Sequence, residues 1–325
     1  MYHIFKPETK KTLLKLRHND LIKEKKFEEI SSFNFTRDAF TKGAWNDQTI
    51  KARGLYLNNE TGDVICRGYE KFFAIDERPE SSIGTIKNTY AFPLTAYVKE
   101  NGFLGLASYR EKTDELFMTT KSDPIGDYAR LFVDLLKTYD TEKMKEYTKV
   151  NNCTFVFEVI DIEHDPHIIK YQTSKLVLLD VVENNIEEFK RKDYKTLCEI
   201  ADAFGFEVKK KATTLHNFTE FINWYKDISK NNYKYNGEYI EGFVLEDMKN
   251  RMCKFKTQYY KCWKYLRGKV GSINSHNFTF DQVKCPSSMI QASQMNDFLH
   301  WYCKNRVHIT TDRIVELREM YEGKE

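Results

Sequence analysis

The chain lacks any apolar run long enough to cross a bilayer, and Met1-Tyr2-His3-Ile4-Phe5-Lys6 has no signal-peptide-like apolar stretch. The expectation is a soluble, intracellular, cytoplasmic protein with no membrane partner. Its seven cysteines (66, 153, 198, 253, 262, 285 and 303) are odd in number and contain no C-x-x-C pair. Reduced, structural thiols are expected rather than a disulfide framework. There is no glycine-rich P-loop and no G-x-S-x-G elbow, so the usual signatures of a P-loop NTPase and an α/β-hydrolase are missing. Internal repeats, low-complexity tracts and Pro/Gly linkers are also absent.

Charge of one sign is lacking too. The chain carries 51 basic and 48 acidic residues, and a net charge of +3 does not by itself demand a polyanionic partner. Positive charge is unevenly spread, with basic stretches at 6–26, 209–211 and 249–269. In the last, Tyr259, Tyr260, Trp263 and Tyr265 alternate with Lys261, Lys264, Arg267 and Lys269. That interleaving suits either a solvated helix face or a nucleic-acid surface that pairs phosphate contacts with base stacking.

What is present is a large aromatic complement, 23 Phe and 20 Tyr in 325 residues, enough for a substantial core. Short β-rich runs at 52–58, 94–98, 103–109, 115–120, 153–160 and 175–182 are separated by Gly, Asn or charged turns. Helical spacing predicts helices over 126–139, 193–204 and 218–228. Residues 242–246 and 251–257 read as a hairpin across 247–250. Beyond 257 the pattern is helical, at 258–266, 287–304 (capped by Ser287-Ser288) and 311–321. The expected fold is α+β, with a mixed domain over 1–260 and a small all-helical domain over 261–325.

The most informative segment is Lys99-Glu100-Asn101-Gly102, at the end of the apolar run 94–98. A lysine in a K-x-x-G turn can attack the α-phosphate of a nucleotide, although so short a motif proves little alone. The chemistry needs a neutral amine, cations for the phosphoryl oxygens, and carboxylates for a divalent metal or the ribose. Lys254 and Lys256 share one face if 251–257 is a strand, which fits a phosphate contact or a solvent-facing edge. Glu158 interrupts an apolar strand and is either paired or turned outward; Glu241-Gly242 stands at a strand entrance as a ligand or an ordinary turn acid. Arg53-Gly54 and Lys71-Phe72-Phe73 add cations beside β-rich runs. His164-Asp165-Pro166-His167 offers two histidines without a second Cys or His pair, which suits a polar loop better than zinc.

Taken in order, Arg53-Gly54, Lys71-Phe72-Phe73, Lys99-Glu100-Asn101-Gly102, Thr120-Lys121-Ser122, Phe157-Glu158, Glu241-Gly242 and Lys254-Phe255-Lys256 resemble the covalent nucleotidyltransferases. The set is most similar to ATP-dependent RNA ligases of the bacteriophage RNA ligase 1 type and to the adenylyltransferase module of fungal tRNA ligases. Arg67-Gly68-Tyr69-Glu70-Lys71-Phe72-Phe73 and the run from Val98 to Gly105 carry most of the specificity, with Phe33-Asn34-Phe35-Thr36-Arg37 fitting the N-terminal region. The resemblance covers residues 30–262. It implies an ATP-grasp-like nucleotidyltransferase domain of antiparallel sheets flanked by helices.

The resemblance also implies roles. Lys99 takes AMP from ATP; Arg53, Lys71 and Lys121 contact the triphosphate or RNA phosphates; Glu158 contacts the ribose. Lys254 and Lys256 contact the α-phosphate, with Tyr260 at the triphosphate end. Glu241, with Glu158, supports Mg²⁺, or Mn²⁺ in its place. The implied substrate is RNA with 5′-phosphate and 3′-hydroxyl ends, tRNA among the candidates, in RNA repair or tRNA splicing. Asn101 stands where DNA ligases usually carry Asp, and the tail is too short for an OB domain. No kinase or phosphodiesterase segment follows, so separate end-healing enzymes are implied. Two other functions fit the pattern: nucleotide transfer to another acceptor, such as a protein or an RNA cap, and non-catalytic RNA binding by a degenerate ligase fold.

Overall fold

The computed structural model describes residues 7–323. The hexapeptide read above for a signal sequence, with Lys6 of the first basic stretch, lies outside the described residues. Strands are numbered in chain order: β1 (Ile22–Phe27), β2 (Ile30–Phe35), β3 (Leu55–Asn58), β4 (Val64–Arg67), β5 (Phe73–Ala74), β6 (Leu94–Lys99), β7 (Phe103–Arg110), β8 (Glu115–Thr120), β9 (Cys153–Ile160), β10 (Lys175–Glu183), β11 (Glu207–Val208), β12 (Lys211–Leu215), β13 (Gly242–Glu246) and β14 (Met252–Lys256). The chain divides into two compact units. The first takes residues up to Phe73, with Gly102–Asp161 and Ser174–Lys210; the second takes Ala74–Asn101, Ile162–Thr173 and the chain from Lys211.

The first unit holds an antiparallel sheet, β1-β2-β3-β4, and a five-stranded sheet in the order β11-β10-β9-β7-β8. All eight residues of β9 are buried, as its near-continuous apolar sequence requires. Helices Asp127–Leu136, Thr141–Asn151 and Tyr194–Phe204 bury Phe132, Leu136, Met144, Leu197 and Phe204 against Phe155 and Phe157. Helix Pro7–Arg17 supplies Leu13 and Leu16 to a second cluster with Phe33, Leu55 and Leu57.

In the second unit the sheet runs β12-β6-β13-β14-β5, with β12–β6, β6–β13 and β13–β14 antiparallel. Helix Phe218–Ile228 packs Phe221 on Phe243, Leu245 and Phe255. Strands stop at Lys256; among the described residues only helices follow, and Thr257 caps the first by accepting from the Tyr260 N–H at 3.2 Å. Helices Gln258–His276, Ala292–Asn305 and Ile314–Glu322 enclose Ile273, Phe298, Leu299, Tyr302 and Leu317, together with Ile168 and Ile169. Among the described residues no helix is long and apolar enough to cross a membrane.

The α+β class, the antiparallel sheets with flanking helices and the helical C-terminal segment match the expectation. Several details differ. The helix expected over 258–266 continues to His276, and the one expected from 287 begins at Ala292, because 286–292 are taken up by turns from Pro286 and Met289. The third begins at Ile314 rather than 311. β1 was hidden by its charges: Ile22-Lys23-Glu24-Lys25-Lys26-Phe27 reads as a basic run, yet it is the edge strand of its sheet. In helix Gln258–His276 the residues at Tyr260, Cys262, Leu266, Val270 and Ile273 are buried. Tyr259 stacks on Tyr239 with ring centres 3.7 Å apart, and Trp263 packs edge-on against Phe298 at 5.1 Å. Tyr259 and Trp263 are thus drawn into packing contacts while staying half-buried, and Lys269 Nζ lies 5.2 Å from the ring centre of Tyr265.

Candidate active site

Lys99 ends β6, Gly242 opens β13 and Lys256 ends β14. The register sets them in one row, Lys99 opposite Gly242 and Gly242 opposite Lys256. Only glycine fits the middle place, because a Cβ on Gly242 would lie 1.9 Å from the Phe255 carbonyl oxygen. Glu241, just before it, is buried, and its Oε1 lies 3.1 Å from Lys99 Nζ and 2.8 Å from Lys256 Nζ. One carboxylate therefore holds two ammonium groups at the end of the sheet. Burial works to raise the Glu241 pKa, but Lys99 and then Lys256 outweigh it, and the net shift is downward.

As expected, β14 alternates. Lys254 and Lys256 share the partly exposed face, while Cys253 and Phe255 point into the core. Lys254 pairs with Val244, one step along the face from the Lys99 row. Tyr260 is buried, with Lys256 Nζ 4.5 Å from its ring centre and Lys264 Nζ at 6.0 Å. Lys264 joins this electrostatic cluster, and sequence reasoning did not place it there. Loss of surrounding water and then Lys256 lower its pKa, while Glu241 opposes the shift. Its signal was positional: it follows Tyr260 by four residues on a helix that starts directly after Lys256.

The turn after Lys99 is held in place by its own unit. Lys99 Nζ donates to the Glu100 carbonyl at 3.1 Å. The Asn101 side-chain oxygen accepts from the Ile168 and Ile169 N–H groups at 2.7 and 3.2 Å, and its backbone N–H donates to the Tyr171 hydroxyl at 2.7 Å. That hydroxyl in turn donates to Glu100 Oε2 at 2.9 Å. His167, the second histidine of the candidate zinc motif, is buried edge-on against Tyr171, with Nδ1 3.6 Å from Asp165.

A second cluster lies in the first unit. Gly102 N–H donates to Glu158 Oε1 at 2.9 Å, so Glu158 points to this backbone and is not turned outward. A Cβ on Gly102 would lie 2.0 Å from the Val159 carbonyl oxygen, which explains the glycine of the motif. Arg53 Nη1 donates to the Tyr69 carbonyl at 3.3 Å. Burial lowers the Arg53 pKa, and Glu158 counters it. Lys121 is an exposed side chain whose pKa is lowered by incomplete hydration and then by Arg53. Lys71 is buried over the rings of Phe73 and Trp45, 4.0 and 5.0 Å from their centres. Thus Lys99, Glu241, Lys256 and Tyr260 meet in one unit, with Lys254 on the same strand face. Arg53, Glu158 and Lys121 interact in the other, and Lys71 sits there in an aromatic setting.

The model of a protein family described as RNA ligase matches residues 51–260. The chain belongs to the RNA ligase family. It is 28% identical over 225 residues to a tRNA ligase of Candida albicans, a match covering 60% of this chain and 27% of the relative. It is 24% identical over 212 residues to tRNA ligase 1 of Schizosaccharomyces pombe, covering 60% of this chain and 26% of the relative. The chain therefore spans about a quarter of the length of these relatives. An archaeal ATP-dependent RNA ligase has the same fold, with a TM-score of 0.55 at 13% identity over 95% of this chain and 75% of that one.

Among the described residues no group of three or more His, Cys, Asp and Glu side chains is arranged to hold a metal ion. A Mg²⁺-type ion does not require such a group, since it is commonly held by one or two carboxylates together with substrate phosphates and water. The Glu241 ion pairs also carry a pH signature. The folded carboxyl has a pKa below the ordinary 4.5, so its stabilising share is complete above that value and is lost as the pH falls below it. Glu241→Gln is expected to lower stability by about 1–3 kcal/mol at pH 7. In urea unfolding series the gap to the wild type should shrink steadily as the pH falls below 4.5. A gap unchanged with pH contradicts the ion-pair account.

Proposed function

We propose that this chain is an ATP-dependent RNA ligase that seals 5′-phosphate and 3′-hydroxyl RNA ends through AMP carried on Lys99. The observation that carries the reading is the row Lys99–Gly242–Lys256 around the buried Glu241 carboxylate. Lys99 gives up a proton to water and its Nζ attacks the α-phosphorus of ATP. A P–N bond forms, the bond from the α-phosphorus to the bridging oxygen breaks, and the electron pair leaves with pyrophosphate. Lys256 and Lys254 contact the α-phosphate, and Tyr260 lies at the triphosphate end. Arg53, Lys71 and Lys121 contact triphosphate or RNA phosphates, and Glu158 the ribose. Glu241 and Glu158 support a divalent cation, Mg²⁺ or Mn²⁺. When bound, that ion neutralises charge on the departing pyrophosphate.

AMP then passes to the RNA 5′-phosphate, and the 3′-hydroxyl displaces it as the phosphodiester forms. Residues 1–260 act as the adenylyltransferase domain and 261–325 as a small helical domain. The setting is RNA repair or tRNA splicing in the cytoplasm, with separate enzymes healing the ends. The test is a broken RNA with 5′-phosphate and 3′-hydroxyl ends, incubated with the purified chain, ATP and Mg²⁺. Sealing is expected. A chain that takes up AMP but never seals, across linear, nicked and tRNA substrates, points to another acceptor. Salt-sensitive RNA binding with no covalent AMP points to a non-catalytic binder.

A further inference from the structure

We propose that Ile162–Thr173 is a strap through which the C-terminal helices set the geometry of the Lys99 turn, with Tyr171 and Arg318 as positioning residues. The proposal rests on the reading of Lys99 as the adenylated nucleophile. Within the second unit the strap is fastened on one side to the C-terminal helices. Arg267 donates to the Pro166 carbonyl, Arg313 to the Ile162 carbonyl, and Arg318 Nη1 to the Ile168 carbonyl at 3.0 Å. Lys170 pairs with Glu319. Arg318 is only 5% exposed, its guanidinium carbon lying 5.4 Å from the Tyr259 ring centre and 5.3 Å from that of Trp263. A buried arginine packed against two aromatic rings is a fixed donor, because moving it would strand its charge.

On its other side the strap grips the nucleophile's own turn. Ile168 gives its carbonyl to Arg318 and its N–H to Asn101, so one residue joins the last helix to the K-x-x-G motif. Tyr171 accepts from the Asn101 backbone and donates to the Glu100 carboxylate. Glu100 is the residue whose carbonyl Lys99 Nζ contacts. The direction in which Lys99 projects is thus fixed by Glu241, just before β13, and by the strap through Tyr171 and the Ile168 and Ile169 contacts to Asn101. This gives the His164–His167 segment a use other than metal binding: His167 buttresses the Tyr171 ring at 5.7 Å.

The experiment compares two steps in the full chain carrying Tyr171→Phe or Arg318→Ala. The first is adenylation of Lys99 by ATP and Mg²⁺ in a single turnover; the second is sealing of an RNA whose 5′ end is already adenylated, which bypasses attack by Lys99. Adenylation is expected to slow about tenfold while sealing of the pre-adenylated RNA stays within about twofold of the wild type. A merely structural role lowers both steps together, and that result overturns the proposal. So does adenylation at the wild-type rate in both variants. If Arg318→Ala does not fold, Tyr171→Phe, which keeps the ring against His167, decides. A wild type that takes no AMP overturns the Lys99 reading itself and the strap with it; a labelled wild type with unaffected variants overturns the strap alone.

Discussion

Replacing Lys99 with alanine is expected to abolish covalent AMP uptake, lowering the rate of adenylation by at least about a thousandfold. The neighbouring amines stand at other places in the sheet. Lys256 is anchored on Glu241 at 2.8 Å from the far side of the row, and Lys254 lies a further step along β14. Lys99→Arg should be equally inactive, since a guanidinium stays charged and cannot attack phosphorus. Alanine at Lys254 or Lys256 has a different signature. The nucleophile remains while a phosphate contact is lost, so adenylation should slow by about 10²–10³ without disappearing. Intact-mass time courses separate the two cases, and an unaltered rate in Lys254→Ala contradicts its role at the α-phosphate.

Gly242→Ala is the second large effect. The added Cβ would stand 1.9 Å from the Phe255 carbonyl oxygen and 2.8 Å from Lys256 Cα, and both are backbone atoms of the neighbouring strand. No rotamer change relieves this clash; β13 and β14 must part. The expected cost is about 3 kcal/mol or more, a fall in thermal midpoint of roughly 6 °C or more. Parting the strands also breaks the row that places Lys256 beside Glu241, so adenylation should fall even at temperatures where the variant remains folded. Gly268→Ala provides the contrast. Nothing lies within 4 Å of a Cβ at that helical position, and the change should leave stability unchanged or raise it by up to about 1 kcal/mol. Equal midpoints for Gly242→Ala and the wild type contradict the packing argument.

Local chemistry was legible in the sequence where a short pattern determines it. The alternation Met252-Cys253-Lys254-Phe255-Lys256 places both lysines on one face whatever the strand pairs with, and the hairpin with β13 follows from a short, mostly polar connection over 247–251. The motif Lys99–Gly102 at a strand end was visible for the same reason. Long-range register was not. Nothing within five residues of Glu241 says that Lys99, 142 positions earlier in the chain, will lie 3.1 Å from its carboxylate. The burial of Glu158 was open for a similar cause: its partner is a backbone N–H at Gly102, which carries no side-chain signature. The aromatic–basic run 259–269 was open because interleaving in sequence differs from facing in a helix. At 3.6 residues per turn Tyr260, Leu266, Val270 and Ile273 turn inward, and Lys261 and Lys264 outward.

The central claim is that Lys99 carries AMP, and one measurement addresses it directly. The purified chain is incubated with ATP and Mg²⁺, its intact mass is recorded, and the modified residue is located by peptide mass spectrometry. The account predicts the gain of one AMP, located on Lys99 and absent from Lys99→Ala. An unmodified chain, or AMP located on any other residue, contradicts it.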